Sequence, residues 1–407
     1  MQHLSSTGTV PAHRTGITAV TLVGPEGVPL ADREVTVEQR SHAFGFGNIG
    51  FDFVEHGFDG AEPFLRLFNQ ATLPFYWGTF EPRRGETRAA RLHEVASWLV
   101  GQGVRVKGHP LVWHTVQPDW LMEVGGDDEV ERLLRAHVRE TVAGFADVIQ
   151  LWDAINETVI MPVFANGDNA ITPLAATRGR QHLIRLAFEE ARAANPAATL
   201  VINDFELSPD YERVIEETLA DGVAVDAIGL QTHMHQGYRG EDEILEIVDR
   251  FARFGLPLQL TETTFVSGHL MPPEIEDLND YQVESWPSTP EGEARQADDM
   301  ERHYRSLFGH PAVESITYWG FSDAGAWLGA PSGLVRADGT PKPSYAVLER
   351  LIRDEWWTAP TRVRTDENGA IRVEGVAGGY RVTDRAFAGD FAIERGGATS
   401  RLVRLGV

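Results

Sequence analysis

The chain has 407 residues, 42% of them hydrophobic, enough for one large domain and a small one, and no apolar run approaches the roughly 20 residues of a membrane span. A formal net charge of −24 excludes the basic footprint that non-specific nucleic-acid binding needs. The absence of cysteine excludes disulfides, thiolate chemistry and Cys-based metal sites. Only Lys107 and Lys342 are lysines among the 36 basic residues, a bias that reads as composition rather than function.

The first residues, MQHLSSTGTVPAHRTG, lack a charged stretch followed by an apolar one. Residues 1–15 are expected to be a flexible N-terminus without a secretory signal, which suits a cytoplasmic protein or a mature secreted fragment. Residues 16–43 alternate like strands, ITAVTLV and VPLADREVTVEQR around the turn GPEG. From residue 44, short runs rich in β-branched and aromatic residues alternate with helical periodicity. The runs are AFGFGNI, FNQATLPF, VRVKGHPLVW, VIQLWDAIN, TLVINDF, AIGLQTH, PLQLTET and SITYWGF. Helices are expected at EVERLLRAHVRETVAGFA, RQHLIRLAFEEARAA, YERVIEETLADG and EILEIVDRFARFG. Eight strands alternating with helices predict an α/β fold, a parallel (β/α)8 barrel over 44–355. Residues 356–407 read as short alternating strands, TRVRTD, AIRVEGV, GYRVTD and FAIERG. They are expected to pair with 16–43 in an accessory β-sandwich. The irregular stretch 265–294 follows strand seven, on the face where such barrels carry their sites.

The C-terminal ends of the barrel strands gather a dense polar and aromatic set. Strand three brings His109, Trp113 and His114. Strand four brings Trp152, Asp153, Asn156 and Glu157. Strand five ends in Asn203, Asp204 and Glu206, and strand six in Gln231, His233 and His235. Strand seven ends in Glu262, and strand eight in Trp319, Asp323 and Trp327. Singly, each residue has a plainer reading: a capping Glu, a bonded core His, a core Trp, or an Asp fixing a loop. Their coincidence in register across strands points to a site, because buried polar groups cost free energy unless paired. Glycoside hydrolysis needs two carboxyl groups flanking the bond, one protonated and one ionised. Glu157 and Glu262 end strands four and seven and can face each other. Asn156 can bond a sugar 2-hydroxyl, His233 can orient Glu262, and Trp319 and Trp327 offer flat faces to sugar rings. His109, Trp113, Gln117, Gln231, His235 and Tyr76 complete the expected substrate-binding set.

The segments GHPLVWH (108–114), WDAINE (152–157), ND (203–204), GLQTHMH (229–235), LTE (260–262) and TYWGFSDAGAW (317–327) resemble glycoside hydrolase family 10, the xylanase family, in order and spacing. The resemblance implies a retaining double displacement on β-linked sugars, usually xylan, with Glu157 as acid/base and Glu262 as nucleophile. It places His109, Asn156, Gln231, His233, Trp319 and Trp327 around the sugar beside the scissile bond. Three positions depart from the pattern. The family's Glu-Asn-x-x-Lys run after strand two is replaced by LPFYWGTFEP, so Phe75 and Tyr76 stand where polar contacts are expected. Val116 occupies the usual glutamine position, with Gln117 one place on. Thr264 replaces the Asp that supports the histidine, which leaves His235 or Asp323 as candidate partners for His233.

The expected function is an endo-1,4-β-xylanase-type hydrolase. The alternative keeps the mechanism on small β-glycosides or short oligosaccharides. A metal-dependent hydrolase using His109, His114, His233, His235 and Glu262, and a non-catalytic sugar-binding protein, are the remaining readings. No cofactor and no metal are expected. The expected partner is a carbohydrate or glycoside, with no nucleic acid and no membrane, and the assembly a monomer or homodimer.

Overall fold

Alternation of buried and exposed side chains sets the first two strands, β1 (Thr15–Val23) and β2 (Glu34–His42). The computed structural model describes residues 10–385 and 387–406. Most of the N-terminus expected to be flexible lies outside the described residues. Within them, Ala12–Arg14 form a 3-10 turn and β1 begins directly after it.

The eight apolar runs become eight strands: β3 (Gly45–Ile49), β4 (Gln70–Pro74), β5 (Arg105–His109), β6 (Leu151–Asn156), β7 (Thr199–Asp204), β8 (Ala227–Met234), β9 (Leu258–Phe265) and β10 (Val313–Tyr318). They close into a barrel in the order β10-β3-β4-β5-β6-β7-β8-β9. Their residues are buried almost without interruption, and every residue of β9 is buried. That follows from a parallel sheet covered on both faces, inside by packed side chains and outside by helices. The helices Asp127–Gly144, Arg180–Ala194, Pro209–Ala220 and Glu241–Ala252 coincide closely with the periodic segments of the sequence.

The terminal element has five further strands: β11 (Thr361–Arg364), β12 (Ala370–Val376), β13 (Gly378–Asp384), β14 (Phe387–Ile393) and β15 (Ala398–Arg404). β1 lies between β12 and β15, and β2 lies between β11 and β13 with β14 beyond. The two N-terminal strands therefore do not form a hairpin with each other; each joins a separate sheet made with C-terminal strands. Val20, Leu22, Val35, Val37, Val373, Tyr380, Val382 and Ile393 form the core between the sheets. β15 has no counterpart among the expected strands. The chain divides into two compact units, 46–342 and the joined ends 1–45 with 343–407. The helix that starts at Pro343 falls with the terminal unit.

Candidate active site

Glu157 directly follows β6 and Glu262 lies within β9, with β7 and β8 between those strands, and two asparagines link the glutamates. Asn156 Nδ2 donates to Glu157 Oε1 at 3.2 Å. Asn203 Nδ2 donates both to Asn156 Oδ1 at 2.8 Å and to Glu262 Oε1 at 2.9 Å. Thr261 Oγ1 donates to Asn203 Oδ1 at 2.6 Å, so every polar atom of that amide is committed. Gln231 Nε2 adds a bond to Asn156 Oδ1 at 3.1 Å.

Glu157 sits in left-handed backbone, φ 56°, which costs a non-glycine residue about 1 kcal/mol or more. The following loop holds it there. Asp204 Oδ2 accepts from the Thr158 hydroxyl and the Val159 N–H, each at 3.0 Å, and Oδ1 accepts from the Glu206 N–H at 3.0 Å. Asp204 is thus a loop clamp, and burial pushes its carboxyl up to about 6. Trp113 Nε1 donates to Glu157 Oε2 at 2.8 Å. Burial pushes the Glu157 carboxyl up to about 8, against the Trp113 bond and with the negative charges of Asp204 and Glu262 adding to the rise. At neutral pH this group carries a proton to give.

Glu262 is only 5% exposed. Besides Asn203 it meets His233, whose Nε2 lies 3.2 Å from Oε2. In β8 and β9 His233 is registered opposite Thr264, and His233 Nδ1 lies 2.8 Å from the Thr264 hydroxyl. With the Nε2 proton directed at the carboxylate, Nδ1 accepts from that hydroxyl. The candidate partners from the sequence do not serve. Asp323 Oδ1 binds Lys342 Nζ at 2.7 Å and the Gly333 N–H at 2.8 Å. His235 lies beside His233, ring centroids 5.9 Å apart, without bonding it.

His109 is oriented from behind. Its Nδ1 is 2.8 Å from Asp153 Oδ2, and Lys107 Nζ is 2.7 Å from Asp153 Oδ1. Burial raises the Asp153 carboxyl, but Lys107 and His109 outweigh it and hold it below its usual value. His109 Nε2 is left facing Glu262 Oε1 at 3.9 Å, room for a hydroxyl to bond.

Residues 56–350 match the profile of glycosyl hydrolase family 10. The chain belongs to this family. Endo-1,4-β-xylanase B of Thermotoga neapolitana is 27% identical over 360 residues, covering 83% of this chain and 96% of that protein. Endo-1,4-β-xylanase C of Paenibacillus barcinonensis is 25% identical over 350 residues, or 74% of this chain. The chain spans only 30% of that relative's length, and 42% of the xylanase/feruloyl esterase of Xylanibacter ruminicola. The fold matches xylanase 10B of Thermotoga petrophila, solved with xylobiose, at TM-score 0.62 and 24% identity over 76% of this chain and 95% of that one.

Against the family 10 pattern, most expected residues converge and a few do not. Tyr76, His109, Trp113, Asn156, Glu157, Gln231, His233, Glu262 and Trp319 lie in one connected set of bonds and ring contacts. Trp327, 37% exposed, lies over His233 and His235 with centroids at 4.9 and 5.3 Å. His235 itself is buried beneath it. Gln117 is withdrawn from the expected site: its Oε1 accepts from the Ala170 N–H at 2.9 Å and its Nε2 contacts Met122 Sδ at 3.0 Å. Trp152 and Phe75 are fully buried, 4.8 Å apart in edge contact, and belong to the core. Among the described residues no group of three or more His, Asp or Glu side chains is arranged to hold a metal ion. Sequence reasoning missed the positioning work of Asn203, Lys107 and Thr264. Lys107 carried a signal, being one of only two lysines in the chain.

Proposed function

We propose that this family 10 barrel hydrolyses β-linked glycosides of the xylan type with retention of configuration. The observation that carries this reading is the contrast between two glutamates linked through Asn156 and Asn203. Glu157 is held protonated by burial, and Glu262 is met by N–H donors on both oxygens. In the first step Glu157 gives its proton to the glycosidic oxygen as the C1–O bond breaks and a Glu262 oxygen bonds C1. In the second, water attacks C1, its proton returns to Glu157, and Glu262 leaves. His109 and Asn156 offer bonds to the hydroxyls of the sugar undergoing attack.

A mechanism-based 2-deoxy-2-fluoro glycoside tests the reading. The expected outcome is one covalent sugar per chain, mapped to the peptide containing Glu262, and an NMR time course showing the retained anomer first. Inversion, or label on another residue, overturns it; no turnover of any glycoside would favour a sugar-binding protein. One observation favours a second reading, small β-glycosides rather than polymeric xylan. Tyr76 stands where the family pattern puts charged and amide contacts. Comparing rates on xylan and on a panel of small β-glycosides separates the two, and a strong preference for xylan overturns the second.

A further inference from the structure

Beside Glu262 four rings close a circuit. Phe51 follows β3, Tyr76 follows β4, His109 ends β5 and Trp319 follows β10, four strands adjacent in the barrel. Ring centroids are 6.0 Å apart for Phe51–Tyr76, 5.6 Å for Tyr76–His109, 5.2 Å for His109–Trp319 and 5.6 Å for Trp319–Phe51. All four pairs are edge-to-face, with interplanar angles of 78–87°. At such distances rings are in van der Waals contact, so no passage opens between them.

This wall adjoins both catalytic groups. His109 Nε2 is 3.9 Å from Glu262 Oε1. Tyr76 also lies 5.5 Å from the ring of Trp113, the donor to Glu157. The sugar attacked by Glu262 sits over that carboxylate and therefore against the wall. No carboxylate, guanidinium or ammonium group forms part of it. Lys107, the one cation on β4 or β5 close to it, is 1% exposed and committed to Asp153. The Tyr76 hydroxyl is the polar group that the segment after β4 brings to this side. Burial, with the negative charges of Glu262, Glu157 and Asp153 added, keeps it protonated and hence able to donate. A second sugar attached beyond the first would meet the faces and edges of Phe51 and Tyr76 in place of charged or amide partners.

We infer that the nucleophile side of the cleft holds a single terminal sugar ring, closed off by Phe51, Tyr76, His109 and Trp319, so that the enzyme removes one sugar at a time from the end of short β-glycosides. The inference rests on the retaining glycosidase reading above. The first products from aryl β-xylobioside and aryl β-cellobioside, separated by chromatography at low conversion, decide it. A monosaccharide plus the aryl monosaccharide glycoside is the expected result. Disaccharide plus free phenol as the first products overturns the inference and leaves the glycosidase reading intact. No turnover of these substrates or of the aryl monosaccharide glycosides overturns that reading, and the inference with it. Phe51→Ala, which breaches the wall away from the carboxylates, is expected to shift the first products at least about tenfold towards disaccharide release.

Discussion

Glu157 and Glu262 carry the same side chain and are made different by what surrounds them. Burial pushes the Glu157 carboxyl from 4.5 up to about 8. Between those values the unfolded chain loses a proton that the folded chain keeps, so native stability falls as pH rises through that window and stays lower above it. Each unit of such a difference is worth about 1.4 kcal/mol. Glu157→Gln removes the proton and its cost. Its melting temperature is expected to match wild type near pH 4 and to exceed it increasingly up to pH 8; a gap independent of pH would contradict the assignment. The same group sets the alkaline limb of kcat/KM, expected to fall as pH passes about 8. Thr264 gives a second test. Thr264→Val takes the hydroxyl from His233 Nδ1 and is expected to lower kcat about tenfold or more with KM little changed, whereas Thr264→Ser restores it. Equal kcat in all three proteins would show that His233 needs no such partner. The glutamates were legible because their strand-end motifs, WDAINE and LTE, place them. Thr264 was read as a loss because sequence shows a missing charge but not a hydroxyl 2.8 Å from the ring.

At the scale of elements, the site depends on the register of β7, β8 and β9. A register shift between Leu230 and Gln231 sets Gln231 opposite Glu262 and His233 opposite Thr264. Bulges of this kind re-aim side chains at active sites. Gly229, one turn of the pleat earlier, leaves room for Asn203: a Cβ there would lie 2.3 Å from Asn203 Oδ1 and 2.9 Å from Thr261 Cγ2. Gly229→Ala is therefore expected to displace the amide joining the two glutamates. Overpacking of this kind costs about 1–3 kcal/mol, and kcat is expected to fall well beyond what the lost stability explains. A folded variant with wild-type kcat would show that Asn203 is dispensable. The strands themselves were legible as apolar runs and the helix Arg180–Ala194 to the residue, because burial on one helical face writes a period into the sequence. Which face of a barrel strand a residue takes was not legible. β6 is buried at every position, so Trp152 in the core and Asp153 in the site carry the same signal. β15, ATSRLVR, is mostly exposed and has one buried residue, Val403, too little alternation to mark a strand.

For the whole molecule, charge is divided unevenly. Residues 1–45 and 343–407 hold 13 basic and 13 acidic residues, so the entire net charge of −24 belongs to the barrel unit. That field opposes anionic ligands and is screened over about 10 Å at 0.1 M salt. The rate on a carboxylate-bearing, glucuronate-substituted oligosaccharide is expected to rise with added salt relative to its neutral counterpart. Parallel salt profiles would contradict a long-range effect. The union of the two chain ends was legible from composition, since neither terminal segment is long enough to make a stable sheet pair alone. The separate sheets of β1 and β2 were not, because alternation fixes a buried face without naming the partner strand. The two lysines have a practical consequence. Both ammonium groups are buried, 1% exposed, Lys107 against Asp153 and Lys342 against Asp323 and Ser267. Both lysine amines are thus shielded, and amine-reactive esters are expected to leave Lys107 and Lys342 unlabelled until the barrel opens. Acylation at Lys107 and Lys342, followed by mass spectrometry along a denaturant series, would report two interior points of the barrel with no label engineered in.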